Sequence, residues 1–318
     1  MTVAFVTGIS GQDGSYLTDR LVDESVEVHG LVRSVDSDAV SLLARHPNVH
    51  LHKGDLADLD RLSDLIREVR PDEVYNLGGI SSVAQSWAIP AQTGVITGVS
   101  VANLLEAVHA LDAPVRFLQA SSSEIFGSPS VSPQDETTAI SPTSPYGAAK
   151  AYAHTLVHLY RSRGVLASNC ILYNHESPRR PETFVTRKIT AGAARIAAGL
   201  QDTLELGDLT VARDWGWAPD FVDAMISANR HEKPDDYVIA TGEAHTVEEF
   251  VAAAFSAVGI DDWKPLVRIN PAFIRPMEIS RMLGNPEKAK QELGWTPTVS
   301  FTEIVTRMAA SDRDALAS

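Results

Sequence analysis

Apolar residues recur along the first half of the chain in two alternating rhythms. Short apolar runs at Val3–Thr7, Glu27–Val32, His50–Lys53, Glu73–Leu77 and Val115–Ala120 have the length of buried strands. Between them, Gly14–Asp23, Asp58–Val69 and Val95–Leu111 space their apolar residues at helical intervals. In Asp58–Val69, for example, Leu59, Leu62, Leu65 and Ile66 fall on one face. This alternation predicts an α/β fold, a doubly wound parallel sheet of the Rossmann type. Ligands of such sheets bind outside the carboxyl ends of the strands.

Tyr146–Gly164 reads as one long helix stopped by Gly164, and Val165–Tyr173 as a sixth strand. After Asn174 the rhythm changes. His175–Pro181 is rich in Pro, Arg and polar residues and is expected to hold no regular element. Thr183–Ala198, Ala218–Arg230 and Val247–Val258 are helical in pattern, and Tyr237–Ala240 is a late strand. The expected division is a dinucleotide-binding domain over 1–174 and a smaller mixed lobe, mainly for substrate, over 175–318. Segments near 210–245 are expected to return to the main sheet.

Composition narrows the function. The 318 residues are 44 % hydrophobic, enough for a substantial core, and carry a net charge of −14. Such acidity disfavours nucleic acid or an anionic membrane as partner, so basic contacts to an anionic ligand must be local. The one cysteine, Cys170, lies in the apolar run Asn169–Tyr173 and reads as a buried strand residue. It rules out a disulfide framework or thiolate metal site within one chain, and no metal is expected. The chain opens on a strand-like run without a basic leader, and no stretch has about 20 uninterrupted apolar residues. A cytoplasmic location is expected.

Gly8-Ile9-Ser10-Gly11-Gln12-Asp13-Gly14 follows the first strand and opens a helix. Gly8 suits the tight turn, Gly11 lets backbone N–H groups approach a pyrophosphate, and Gly14 lets the helix pack close to the sheet. The helix dipole favours the anion. Gly8, Ser10, Gly11, Gln12 and Asp13 are therefore candidate cofactor contacts. The second strand ends at Val32-Arg33-Ser34 with no preceding acid for a ribose 2′-OH. Arg33 there favours NADP over NAD. Asp55 and Leu56 after the third strand, and Leu77, Gly78 and Ser81 after the fourth, extend the cofactor path.

Tyr146 and Lys150 stand four apart, on one helix face. A lysine charge there is expected to favour tyrosinate, making the phenol a base near neutrality. Ser122 and Glu124 follow the fifth strand two residues apart, so an extended backbone would point both to one side. The hydroxyl can hold a substrate oxygen. The carboxylate can take a proton from carbon and return it to a leaving hydroxyl, a role that plain hydride transfer does not need.

Together these residues resemble the GDP-mannose 4,6-dehydratase family, among the extended short-chain dehydrogenase/reductases that act on nucleotide sugars. The likeness is carried by Gly8–Leu17, Tyr75–Gly78, Gln119–Gly127, Ser144–Lys150, Asn174–Arg180, Val185–Ile189, Arg213–Gly216 and Val238–Glu243. It implies that Ser122, Glu124, Tyr146 and Lys150 are catalytic, with hydride leaving C4 of the sugar and returning at C6. It implies His175 and Arg180 as cofactor contacts, and Asn174, Lys188, Arg213, Arg275 and Glu278 as contacts to the GDP-sugar. Ser122 replaces the family's usual threonine and keeps the hydroxyl.

Three positions depart from the family. The loop after the second strand is short, Arg33–Ser37 leading almost directly to Val40–Leu43, which favours a homodimer and puts a tetramer in doubt. Ile80-Ser81-Ser82 replaces Gln-Ser-His beside the nicotinamide pocket, where Ser82 is a candidate substrate contact. Trp217 stands where the family has histidine. These changes leave open another hexose or a heptose on the same GDP. An epimerase, a 4-keto reductase or a silent dinucleotide-binding scaffold also remain as readings, though Glu124 opposes the reductase and the intact Ser122, Glu124, Tyr146 and Lys150 oppose the scaffold.

Overall fold

The computed structural model describes residues 1–273 and 279–317. Strands β1 (Val3–Thr7), β2 (Glu27–Val32), β3 (His50–Lys53), β4 (Glu73–Asn76), β5 (Arg116–Ser122) and β6 (Leu166–Leu172) form where the short apolar runs lie. With a later strand, β10 (Asp236–Ile239), they make a seven-stranded sheet in the order β10-β6-β5-β4-β1-β2-β3. All its pairings are parallel. The chain winds outward from β1 to β3, then restarts at β4 and winds the other way. The crevice where the order reverses lies between β1 and β4.

Pleating sends alternate side chains of β1 into two cores. Ala4 and Val6 join Leu17, Leu42, Leu118 and Phe221, while Phe5 joins Leu31, Leu65, Leu104 and Phe117. Helices α1 (Gln12–Asp23), α2 (Ser37–Arg45), α3 (Leu59–Val69), α4 (Val83–Ala88), α5 (Pro90–Gly94), α6 (Ser100–His109) and α7 (Pro145–Ser162) belong to this layer. Cys170 is fully buried in β6.

A second, four-stranded sheet gathers β7 (Asn174–Glu176), β9 (Ala212–Trp217), β11 (Ala244–Thr246) and β13 (Arg281–Met282). Strands β8 (Leu204–Leu206) and β12 (Val267–Ile269) form a separate pair. The later helices are α8 (Val185–Ala197), α9 (Ala218–Arg230), α10 (Val247–Ala257), α11 (Glu287–Leu293) and α12 (Phe301–Ala317). Ile189, Trp215, Phe250, Phe255, Ile304 and Met308 form their own core. No described helix is long and apolar enough to cross a membrane.

Several elements differ from the sequence expectation. Asn174–Glu176 is a strand although its composition looked irregular, because β9 supplies a parallel partner with Asn174 opposite Trp215. Of the segments near 210–245, Asp236–Ile239 returns to the main sheet and Ala212–Trp217 does not. The short loop after Arg33 holds α2, capped by Asp36, whose carboxylate accepts from Ala39 N at 3.0 Å. Val95–Leu111 is not one regular helix. It opens as a π-helical turn, Val95–Val99, before α6. The long helix starts one residue early, with Pro145 in its first turn and Ser144 accepting from Gly147 N at 3.0 Å.

Gly14 fits the role read for it. A Cβ there would lie 2.2 Å from Gly8 O and 2.6 Å from Ile9 Cα, both rigid backbone atoms. At Gly11 the only such contact is Gly8 O at 3.3 Å. Gly14→Ala is therefore expected to cost about 1–3 kcal/mol in urea denaturation, and Gly11→Ala much less. Equal midpoints for the two variants would contradict this packing.

Candidate active site

The carboxyl end of β1 meets the start of α1 at Gly8, whose φ of 68° turns the chain. Gly11 N donates to Gly8 O at 3.0 Å, and Gly11 is the helix N-cap. It brings no side chain to the first amides of α1. Those N–H groups and the positive end of the dipole thus face the β1/β4 crevice, a seat for a pyrophosphate. A Cβ on Gly8 would lie 2.9 Å from Gly78 N, so the turns after β1 and β4 touch through backbone. The cleft fits a dinucleotide.

A buried polar chain runs from this turn to α7. Gly78 N donates to Thr7 Oγ1 at 2.9 Å, and Thr7 Oγ1 donates to Asn76 Oδ1 at 2.6 Å. Asn76 Nδ2 donates to Gln119 Oε1 at 2.7 Å, and Gln119 Nε2 to Ala120 O at 2.8 Å. Lys150 Nζ donates to the same carbonyl at 2.6 Å. Nothing in the motif reading singled out Thr7, Asn76 or Gln119 for this work. Thr7 and Asn76 close β1 and β4, and Gln119 lies within β5 opposite Asn76.

Ser122 ends β5, and Glu124 lies in the 3₁₀ turn Ser123–Ile125. The extended-backbone expectation for the pair is thus wrong. The chain tightens because Ser122 Oγ caps the turn, accepting from Glu124 N at 3.3 Å. Both still act on Tyr146: the Ser122 hydroxyl favours ionisation of the phenol and the Glu124 charge opposes it. α7 can come this close because residue 147 is glycine, where a Cβ would lie 2.5 Å from Glu124 O.

The phenol is not lowered by the protein alone. Burial pushes Tyr146 up to about 12, against the bond from Ser122. Lys150 shares its helix face, but the ammonium is held by Ala120 O and stands 5.9 Å from the ring centroid. Burial also lowers Lys150 to about 8, with Asp13 opposing. The expected tyrosinate therefore has no support from Lys150 in this arrangement.

Asp13 and His175 form a buried pair, His175 Nε2 lying 3.0 Å from Asp13 Oδ2. His175 Nδ1 donates to Tyr173 O at 2.7 Å, which leaves the ring pointed at the carboxylate. The side chain of Gln12 is spent on the same turn, donating to His175 O at 3.1 Å and accepting from Ser177 Oγ at 2.8 Å. What Gln12 offers a ligand is its backbone N–H. Arg180 lies 3.4 Å from Glu176 and stacks on Phe184 at 3.8 Å.

The remaining candidates spread along the cleft and beyond it. Ser10 is half-buried in the first turn, and Leu56 abuts Gly78 beside Leu77. Asp55 accepts from Ala57 N at 2.8 Å. Arg33 and Ser81 are exposed. Ser82 caps α4, accepting from Gln85 N at 3.2 Å, so its hydroxyl is partly committed. On the other side of the cleft stand Asn174 in β7, Lys188 over the Phe273 ring at 3.9 Å, and Arg213. Arg213 donates to Ile279 O at 2.7 Å. Arg275 and Glu278 lie outside the described residues.

Known proteins resemble this chain over nearly its whole length. The sequence profile of the family described as GDP-mannose 4,6 dehydratase matches residues 5–308. GDP-mannose 4,6 dehydratase 2 of Arabidopsis thaliana is 46 % identical, over 98 % of this chain and 86 % of that protein. GDP-mannose 4,6-dehydratase of Yersinia enterocolitica is 42 % identical, over 98 % and 94 %. Among solved structures, the Thermus thermophilus UDP-glucose 4-epimerase complex with NAD superposes with a TM-score of 0.86 at 27 % identity. The alignment covers 99 % of this chain and all of that one.

The Asp13–His175 pair should be visible in stability. Burial pushes Asp13 up, but the His175 charge and hydrogen bond outweigh it and hold Asp13 at about 2. Burial pushes His175 down, and Asp13 reverses this to a net rise. The pair is therefore intact between about pH 4 and 6.5. Its contribution fades as pH falls towards 2 and as pH rises through the elevated value of His175. Asp13→Asn is expected to cost about 3 kcal/mol near pH 6, with a smaller difference from wild type in alkali. Urea denaturation across pH 5–9 would refute this if the difference stayed constant.

Proposed function

The chain belongs to the GDP-mannose 4,6-dehydratase family, and on that premise we propose that it converts GDP-mannose to GDP-4-keto-6-deoxymannose, a dehydration without net redox change. The observation that carries this reading is the convergence of the Ser122 hydroxyl and the Glu124 charge on the Tyr146 phenol. A simple alcohol dehydrogenase has no use for the carboxylate.

A nicotinamide dinucleotide seated along Gly8–Asp13 supplies the chemistry that takes hydride from C4 and returns it at C6. The protein's groups move the protons. Tyr146 accepts the 4-OH proton while Ser122 holds that oxygen. The resulting ketone acidifies C5–H, and Glu124 takes this proton. Glu124 then protonates the departing 6-OH, which leaves as water. Of the two protons collected, one goes out with water and the other returns to C5. Lys150 donates to Ala120 O in β5 and would hold the nicotinamide ribose of a bound cofactor.

The finer assignments follow from position. Arg33, exposed at the end of β2 with no acid before it, is suited to a 2′-phosphate, so the cofactor is NADP. Asp55, Leu56, Leu77, Gly78 and Ser81 flank it, with His175 and Arg180 opposite. Residues 1–174 supply the cofactor side, and Asn174, Lys188 and Arg213 begin the GDP-sugar side. Val95, Val99, Tyr152 and Leu159 are exposed apolar residues, with Tyr152 against Gly98 between the two helices. A second copy covering them makes a homodimer.

Two measurements test these readings. Purified protein given GDP-mannose and a catalytic amount of NADP⁺ should yield a product lighter by one water without added reductant. Glu124→Gln should slow that loss by about 10²–10⁴-fold. No loss of water from GDP-mannose overturns the activity, and wild-type turnover in Glu124→Gln overturns the role of the carboxylate. For the cofactor, Arg33→Ala should weaken NADP⁺ by about ten- to a hundredfold, the worth of a charged hydrogen bond, and leave NAD⁺ unchanged. Equal losses for both nucleotides in a binding titration would reject the 2′-phosphate contact.

A further inference from the structure

The free edge of the main sheet carries a side-chain cluster that the dehydration does not use. Glu27 and His29 stand two apart on β2, and His50 and His52 two apart on β3. His29 and His50 are register partners, so the pleat places all four side chains on one face. His29 Nε2 lies 3.0 Å from Glu27 Oε1, and His50 Nε2 lies 3.8 Å from the same oxygen. One ligand atom each from Glu27, His29 and His50 falls within 4.8 Å of the other two. The His29 and His50 rings stack with centroids 4.7 Å apart and planes 27° from parallel. Both rings therefore serve the same point beside the carboxylate.

The spacing fits an ion. Zinc at about 2.0–2.1 Å from tetrahedral ligands sets those ligands about 3.3 Å apart, between the two observed separations. His29 also has an outer partner, its Nδ1 lying 2.8 Å from His52 Nε2. A bond from Nδ1–H to His52 turns the His29 Nε2 lone pair towards the carboxylate, the arrangement that metal-binding histidines use. Arg61 of α3, the cation near His52, is engaged by Glu68 at 3.0 Å. The Glu27 and His50 side chains are 33 % and 56 % exposed, which gives an ion an entry path and a water for its fourth position.

We propose that Glu27, His29 and His50 bind a divalent transition-metal cation of the zinc class, clamping the edge strand β3 to β2. Two imidazole nitrogens and one carboxylate oxygen favour such an ion over calcium or magnesium, which prefer oxygen alone. The clamp suits its place. β3 is four residues long and, among the described residues, pairs on one side only.

The test titrates the full chain, stripped of metal, with Zn²⁺ alone in competition with a chromogenic chelator. Expected are one equivalent bound at this site, a raised Tm, and loss of both in His29→Gln and in His50→Gln. His50 is on the surface, so its variant keeps the fold if His29→Gln does not. His52→Gln should weaken binding about tenfold through the orientation of His29. The proposal fails if no saturable binding occurs, if one equivalent survives His50→Gln with unchanged affinity, or if Ca²⁺ binds as tightly as Zn²⁺.

Discussion

The close approach of backbone to backbone at the β1/β4 crevice is the constraint on which the rest of the cleft depends. Gly14 lets α1 close onto the turn after β1, and Gly8 and Gly78 let the turns after β1 and β4 touch. With α1 seated, its uncapped amides project over the carboxyl ends of the central strands. That fixes where an anion can sit, and hence where the far end of a dinucleotide must reach. A Cβ at Gly14 would not merely crowd a side chain. It would meet the carbonyl of Gly8, which can move only by opening the turn.

From that point the geometry is transmitted by hydrogen bonds through the sheet. Thr7, Asn76 and Gln119 are buried polar residues of the three central strands. Each would be costly alone, yet their side chains satisfy one another from β1 through β4 to β5. The chain ends on Ala120 O, which also receives Lys150. A second connection ties α7 to the same strand, His154 lying 3.1 Å from Ser121 Oγ and 3.4 Å from Asp236. The helix bearing Tyr146 is thus referenced to the strand bearing Ser122 at two levels.

Most of this architecture was legible in the sequence because its signals are local. The periods of the first five strands, the glycine spacing and the Tyr146/Lys150 interval survive folding unchanged. What escaped were features made by partners far along the chain. β7 exists because β9 pairs with it, the π-turn at Val95–Val99 has no composition of its own, and Ser122 diverts its backbone into a 3₁₀ turn. Cysteine counting excluded a thiolate metal site and passed over Glu27, His29 and His50, whose meeting requires the register of β2 with β3. The family likeness supplied Asn174, Lys188 and Arg213, which no period or spacing could have marked.

On the role proposed for Tyr146, its raised phenol constrains how the first proton transfer works. At about 12, Tyr146 lies some five units above neutrality, and forming its anion beforehand would cost about 7 kcal/mol. A unit positive charge about 4 Å away, at an effective dielectric near 20, returns about 4 kcal/mol. Lys150 alone is therefore insufficient even if it leaves Ala120 O to approach the ring. Either a second positive charge arrives with the ligand, or the proton leaves the sugar hydroxyl together with the hydride and no free tyrosinate forms. The same burial that raises the phenol holds Lys150 down to about 8.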